Sequence, residues 1–289
     1  MGEDALKYRI FRLVVDTGER VLEKTPGADW LKVTGYALKS RRIPKSFDGF
    51  RFVVLADIHA HRFGKDHEIL LSRIRQLQPE LILNAGDWVR DDYYGRDAAL
   101  LRELAAGLVR IAPTISILGN HEGRADHKDE FIADMRDTGM RILMDETMLL
   151  TKEEASIQLT GLYPSYENDY YGSLRDRGIG EKLKTEYREV MESLPEKGAF
   201  QIVLSHRPEL FPLYGELGMD LVFSGHAHGG LMRLPGGKRL LAPDQGLDPV
   251  YTHGVYRQGK TTMIVSEGMG GPRIGIRPEL IVVKLLAEE

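Results

Sequence analysis

The sequence predicts an α/β protein, and three observations carry that prediction. Short apolar, β-branched runs alternate with stretches of helical periodicity. The runs at 51–56, 80–84 and 113–118 each end in a polar triplet or quartet, and the same happens after 200–204 and 219–223. The chain has 289 residues, 42% hydrophobic and 28% charged, ample to bury a core without covalent staples. This length suits one large domain or two small ones, and no shift of composition marks a second.

The elements follow in order. Residues 1–26 read as an N-terminal helical arm ahead of a domain spanning 27–289. Leu6, Ile10, Val14, Thr17 and Val21 recur at helical spacing, with charged residues on the other side and Thr25-Pro26-Gly27 as the stop. Such a helix would pack on the domain, on a second subunit or against a membrane surface. Trp30 to Ile43 alternates like a strand, and Pro44 stops it. Arg51 to Ala56 is a short apolar, β-branched run that reads as a central strand, ending in Asp57-Ile58-His59. Asp66 to Leu77 is helical. Glu80 to Asn84 is the next strand, ending in Ala85-Gly86-Asp87. Asp97 to Ile111 is an amphipathic helix, and Pro113 to Leu118 a third strand ending in Gly119-Asn120-His121-Glu122. Asp129 to Thr138 is a helix, with Gly139 as its C-terminal stop. Arg141 to Leu150 and Ala155 to Leu162 read as two strands around a charged turn. Tyr163 to Asp169 reads as a loop over the site, where Tyr163, Tyr166, Tyr170 and Tyr171 form an aromatic wall or ordinary loop packing. Ile179 to Leu194 is helical. Phe200 to Leu204 ends in Ser205-His206-Arg207-Pro208, and Met219 to Phe223 ends in Ser224-Gly225-His226-Ala227-His228-Gly229-Gly230. Short strands follow at Leu231–Leu234, Thr261–Ser266 and Leu280–Leu286.

Five strand ends therefore deliver Asp57 and His59, Asp87, Asn120 and His121, His206, and His226 and His228. Five of the nine histidines lie among them. In open α/β sheets, sites form outside the carboxyl ends of strands. Carboxylate and carboxamide oxygens mixed with imidazole nitrogens suit Mn²⁺, Fe or Zn²⁺. With no cysteine in the chain, thiolate metal sites and thiol nucleophiles are excluded. The number of candidate ligands suits two ions. Arg124 and Arg207 are candidate contacts for a substrate phosphate, and His61 a candidate pocket residue.

The motifs Asp57-x-His59, Gly86-Asp87, Gly119-Asn120-His121-Glu122, His206 and Gly225-His226-x-His228, in this order, resemble those of the calcineurin-like metallophosphoesterases. The resemblance implies a four-layer sandwich of two facing mixed β-sheets flanked by helices. It implies two divalent ions, Mn²⁺ foremost and Fe, Zn²⁺ or Ni²⁺ as the others. Asp57, His59 and His228 would hold one ion, and Asn120, His206 and His226 the other. Asp87 would bridge them. A hydroxide shared by the two ions would attack phosphorus in line. His121 would be catalytic, stabilising the transition state or protonating the leaving oxygen. Gly229-Gly230 and the tail from Glu267-Gly268 to Arg277 resemble a bacterial subgroup that contains lipid- and envelope-linked phosphodiesterases. Arg90 stands where some members carry an acid that orients the catalytic histidine, with Asp91 next to it.

The expected substrate is a phosphodiester or a pyrophosphate, including lipid or sugar-nucleotide pyrophosphates. A scaffold without catalysis is the contrasting class, and its usual mark is lost ligands. The net charge of -4 argues against general nucleic-acid binding. No apolar run of ~18 residues and no signal-peptide core is present, so a cytoplasmic protein is expected, with peripheral membrane contact through residues 1–25.

Overall fold

The computed structural model describes residues 30–90, 95–125, 127–163, 181–193 and 200–288, with side chains from 184 onward in the fourth of these stretches. The helical arm expected at 1–26, and Asp91, Tyr166, Tyr170 and Tyr171, lie outside the described residues. Strand β1 spans Lys32–Ser40, β2 Arg51–Leu55, β3 Leu81–Asn84, β4 Thr114–Ser116 and β5 Arg141–Ile142. Among them lie helices α1 (Glu68–Leu77) and α2 (Ala98–Val109), then α3 (Asn120–Arg124) and α4 (Lys128–Asp137). The second half contains β6 (Glu146–Lys152), β7 (Ala155–Gly161), α5 (Glu181–Ser193), β8 (Gln201–Leu204), α6 (Phe211–Glu216) and β9 (Leu221–Ser224). It closes with β10 (Leu241–Ala242), β11 (Gly246–Leu247), β12 (Gly254–Gln258), β13 (Thr261–Val265) and β14 (Glu279–Ala287).

Two six-stranded mixed sheets result. The first has the order β1-β14-β2-β3-β4-β5 and the second β12-β13-β9-β8-β7-β6. In the first, β2, β3, β4 and β5 are parallel, and β14 runs antiparallel to β2. In the second, β7, β8, β9 and β13 are parallel, with antiparallel edges at β6 and β12. Alternation along each strand explains why the runs are apolar throughout. Phe52 and Val54 face the second sheet, packing with Ile202, Leu204, Leu221 and Phe223. Val53 and Leu55 face outward onto Leu70, Ile74, Leu101, Leu104 and Phe131 of the helices. On the far side Val203, Val222 and Met263 pack on Tyr187, Met191, Phe211 and Tyr214. The layers are thus helix, sheet, sheet, helix, as the resemblance implied.

Two expectations need correction, and one strand was missed. Arg141 to Leu150 is not one strand. It is β5 in the first sheet and β6 in the second, broken at Asp145, whose φ of 53° no continuous strand permits. Leu231–Leu234 is not a regular strand either. It makes single bridges, Met232 to Ile274 and Arg233 to Arg239, around a turn at Gly236 and Gly237. The edge strand β12 was missed, because its half-exposed sequence alternates weakly. Among the described residues, no helix is long and apolar enough to cross a membrane.

Candidate metal centre

The carboxyl ends of β2, β3 and β4 in one sheet and of β8 and β9 in the other converge on one buried cluster. The chain leaves these strands by sharp turns. Asp57, His59, Asp87, His226 and His228 all have left-handed backbone, with φ between 48° and 67°. Each such residue costs on the order of 1 kcal/mol or more, so the surroundings must impose the conformation. They do so by hydrogen bonds between turns: Asp57 N donates to Gly86 O, His59 N to Asp87 O, and His226 N to Asp57 Oδ1 at 2.9 Å. Two glycines make the approach possible. A Cβ on Gly119 would lie 2.0 Å from Asp87 Oδ1, and one on Gly271, whose φ is +79°, would lie 2.6 Å from His228 Cε1.

The side chains fall into overlapping groups. Asp57, His59 and His228 bring one donor atom each within 4.8 Å of the others, and so do Asp87, His206 and His226. Asp87 belongs also to a group with His59 and His121. His59 Nε2 lies 3.3 Å from His228 Nε2 and 3.7 Å from Asp87 Oδ2. His228 Nε2 lies 3.9 Å from Asp57 Oδ1. His206 Nε2 lies 3.1 Å from both Asp87 Oδ2 and Asn120 Oδ1.

The outer nitrogens fix which atoms face inward. His59 Nδ1 donates to Val89 O at 2.8 Å and His206 Nδ1 to Ala85 O at 2.7 Å, so each turns Nε2 into the cluster. His206 Nε2 then points at two oxygen acceptors. A neutral imidazole would have no proton to give them, and without an ion the proton supplies the positive charge. The electrostatics agree. Burial opposes charge on His206, but Asp87 and Asp57 outweigh it and raise the imidazole to about 9. Burial also opposes charge on Asp87, but His206 and His121 hold it well below the carboxylate range. Asp57 is pushed up to about 6 by burial, offset in part by His206. Burial and the neighbouring His121 lower His59 to about 3, so it is a neutral donor, and burial beside His59 keeps His228 neutral too. Buried carboxylates, a carboxamide and imidazoles converging on shared points form a donor set that fits divalent cations.

The other expected residues stand as follows. His121 is part-buried at the start of α3; its ring meets the His59 ring edge-on at 4.8 Å, and its backbone N donates to Asp87 Oδ1 at 3.0 Å. Arg90 turns away and contacts Ala60 O at 3.4 Å. Arg124 ends α3, half-buried. Arg207, the second candidate phosphate contact, faces acidic side chains. It is buried and committed, with Nη1 3.1 Å from Glu209 Oε1 and 2.6 Å from Asp244 Oδ2. His61 is packed edge-on against Phe63 at 4.7 Å, and burial with the nearby Arg273 and Arg90 charges lowers it to about 4, so it brings no positive charge to a phosphate near neutral pH. Tyr163 donates its backbone N to Asp145 at 2.8 Å.

Three residues were missed. Glu122 is fully buried, and its two oxygens accept from Asp87 N at 3.0 Å, Gly119 N at 2.7 Å and Val89 N at 2.8 Å. It therefore ties the turn after β3 to the turn after β4. Burial beside Asp87 pushes it up to about 7. Arg273, also buried, donates to the carbonyls of Glu267, Gly268 and Gly270, folding the tail loop so that Met269 N and Gly270 N reach the carbonyls around Asp57. Asp244 lies 2.8 Å from His226 Nε2. The only signal for Glu122 was its place three residues after Gly119, where an acid caps a helix start. Nothing local pointed to Asp244 or Arg273.

A buried set of carboxylates, a carboxamide and imidazoles at the strand ends of an α/β sandwich defines a divalent-metal centre. The sequence pattern of the calcineurin-like phosphoesterases matches residues 50–230, and the chain belongs to that family. It is 28% identical over 270 residues to the uncharacterized metallophosphoesterase YkuE of Bacillus subtilis, covering 88% of this chain and 85% of that one. It is 25% identical over 245 residues to the phosphodiesterase YaeI of Escherichia coli, covering 82% of each. Among solved structures, the phosphopantetheinyl hydrolase PptH of Mycobacterium tuberculosis matches with a TM-score of 0.48 at 11% identity, covering 78% of this chain and 91% of that one. Family and donor set together support a metal-dependent phosphoesterase.

Proposed function

We infer that the protein hydrolyses phosphodiester or pyrophosphate bonds at a centre of two divalent ions. The observation that carries the reading is Asp87, a single carboxylate that clusters with His206 and His226 on one side and with His59 on the other. Asp57, His59 and His228 would hold one ion, and His206, His226 and Asn120 the other. Bound there, such ions would supply Lewis acidity, lowering the pKa of water and drawing electron density from the phosphoryl oxygens. The chain supplies the rest. The strained turns and Glu122 fix the separation of the donor groups, and burial excludes competing water. His121, half-open beside His59, is placed to stabilise charge or to give a proton to the leaving oxygen. All seven candidate ligands are present, which argues against a scaffold without catalysis. The likeness to a protein named a phosphodiesterase favours diesters over monoesters. Mn²⁺ is the proposed ion, and lipid or sugar-nucleotide pyrophosphates are the proposed alternatives to simple diesters. Hydrolysis of bis-p-nitrophenyl phosphate by metal-stripped protein, before and after Mn²⁺, tests this. Activity that appears only with metal is the expected result. Monoester turnover far above diester turnover would overturn the diester reading.

A further inference from the structure

The four buried imidazoles of the two donor groups do not share one kind of outer partner. His59 and His206 each donate from Nδ1 to a backbone carbonyl. His226 is turned the other way, with Nε2 2.8 Å from the Asp244 carboxylate. Asp244 sits in the turn between β10 and β11, at a left-handed φ of 55°, in the excursion that follows the last ligand motif. It is held there from behind. Arg207 Nη1 lies 2.6 Å from Asp244 Oδ2, and Glu209 Oε1 lies 3.1 Å from the same nitrogen. The whole row is sheltered, with side-chain exposures of 5% for Glu209, 7% for Arg207, 11% for Asp244 and 3% for His226.

Glu209, His226 and Asp244 also lie close enough together to suggest a separate cation site. The Arg207 guanidinium already stands between the two carboxylates and supplies that positive charge. The row therefore reads as a relay of fixed contacts: Glu209 to Arg207, Arg207 to Asp244, Asp244 to His226. A carboxylate facing a guanidinium accepts hydrogen bonds, so the proton in its contact with His226 belongs to the imidazole.

We propose that Asp244 is a positioning residue of the metal centre, which holds His226 as the Nε2–H tautomer so that Nδ1 carries the lone pair offered to an ion beside Asp87 and His206. This inference rests on the two-ion reading. It assigns a role to the Arg207–Asp244 pair and explains why Arg207 is buried. A carboxylate behind a ligand imidazole increases its basicity, and loss of such a partner weakens metal binding about 10–100-fold.

Two measurements test it. Long-range ¹H–¹⁵N correlation spectra of the metal-free protein, with His226 identified by its absence in His226→Gln, report the tautomer without any change at Asp244. The Nε2–H form is expected, and the Nδ1–H form would overturn the proposal. Calorimetric titration with Mn²⁺ then compares wild type, Asp244→Asn and Asp244→Ala. Asp244→Ala should weaken one of two ions about 10–100-fold and leave the other unchanged. Asp244→Asn, which keeps an acceptor oxygen, should recover part of the loss and remains usable if the alanine variant does not fold. Equal affinity for both ions in wild type and Asp244→Ala sinks the role of Asp244 alone. Two tightly bound ions with no diester hydrolysis sink the phosphodiester reading alone.

Discussion

Asp87 combines the roles that no other residue in the cluster combines. Its carboxylate meets His206 at 3.1 Å and His59 at 3.7 Å, and its Oδ1 caps His121 N. Asp87→Asn should lower diester turnover by about 10³-fold or more, equivalent to ~4 kcal/mol of activation free energy. Metal content after dialysis should fall with it; a variant that keeps both ions and full turnover would remove Asp87 from its bridging place. Glu122 acts one step further out. Glu122→Ala leaves three buried amides without an acceptor, which should cost about 3 kcal/mol or more in urea unfolding. Glu122→Gln keeps an oxygen for Asp87 N and Gly119 N and should lose roughly half as much. At this scale the residues that cluster were legible as candidates because each sits in a short motif directly after an apolar run. Glu122 was visible as a residue but not as a tie, since its partners come from three separate positions. Asp244 and Arg207 could not be paired in advance, because they are 37 positions apart with a change of element between them.

The turns after the strands, more than the strands, set the geometry of the centre. The strand cores were readable from apolar runs with alternating faces, and their observed limits differ from the expected ones by only a residue or two at most ends. The break at Asp145 was not readable, because the apolar residues on either side continue in alternation while the chain crosses from one sheet to the other. Left-handed backbone at the aspartates and histidines themselves was equally hidden, since Gly86, Gly225 and Gly229 mark turns beside them without showing that the ligand residues share the conformation. The loop from Glu267 to Arg273 shows how tightly the elements close on the site. Gly271→Ala would place a methyl group 2.6 Å from His228 Cε1 and 2.9 Å from His59 Cδ2, at a φ that costs about 1–2 kcal/mol for a residue with a Cβ. Both imidazoles of the Asp57 group should shift. Turnover should drop by about 10²-fold while the other ion stays bound. Metal analysis of the dialysed variant checks this, and an unchanged content of two ions would show that the loop does not press on the centre.

Two sheets meet at the site, and charge links them a second time behind it. Lys32 on β1 lies 3.0 Å from Glu267, which follows β13 of the second sheet, and 2.9 Å from Glu279 on β14 of the first. Burial opposes charge on both Lys32 and Glu267, but Glu279, ahead of Glu267, raises Lys32, and the hydrogen bond from Lys32 lowers Glu267. A depressed carboxylate stabilises the fold above its ordinary value of 4.5 and loses that contribution as the pH falls through its lower folded value. Lys32→Met should therefore cost about 1 kcal/mol at pH 7, since Lys32 is partly exposed, and the gap from wild type should close toward pH 3. The candidate metal ligands also come from both sheets. Asp57, His59, Asp87 and Asn120 leave the first sheet, and His206, His226 and His228 leave the second. Ions held between them would cross-link the two layers at their open ends. Each ion at a hundred times its dissociation constant adds ~2.7 kcal/mol, so a filled pair should raise the melting temperature of stripped protein by roughly 5–15 °C. Hydrogen exchange should slow at the turns after β2, β3, β8 and β9 and stay unchanged at the β1 and β6 edges. In Asp87→Asn both effects should vanish together. A stripped wild type whose melting and exchange ignore millimolar Mn²⁺ would mean that the two sheets are closed without the ions, by the core between Phe52 and Phe223 alone.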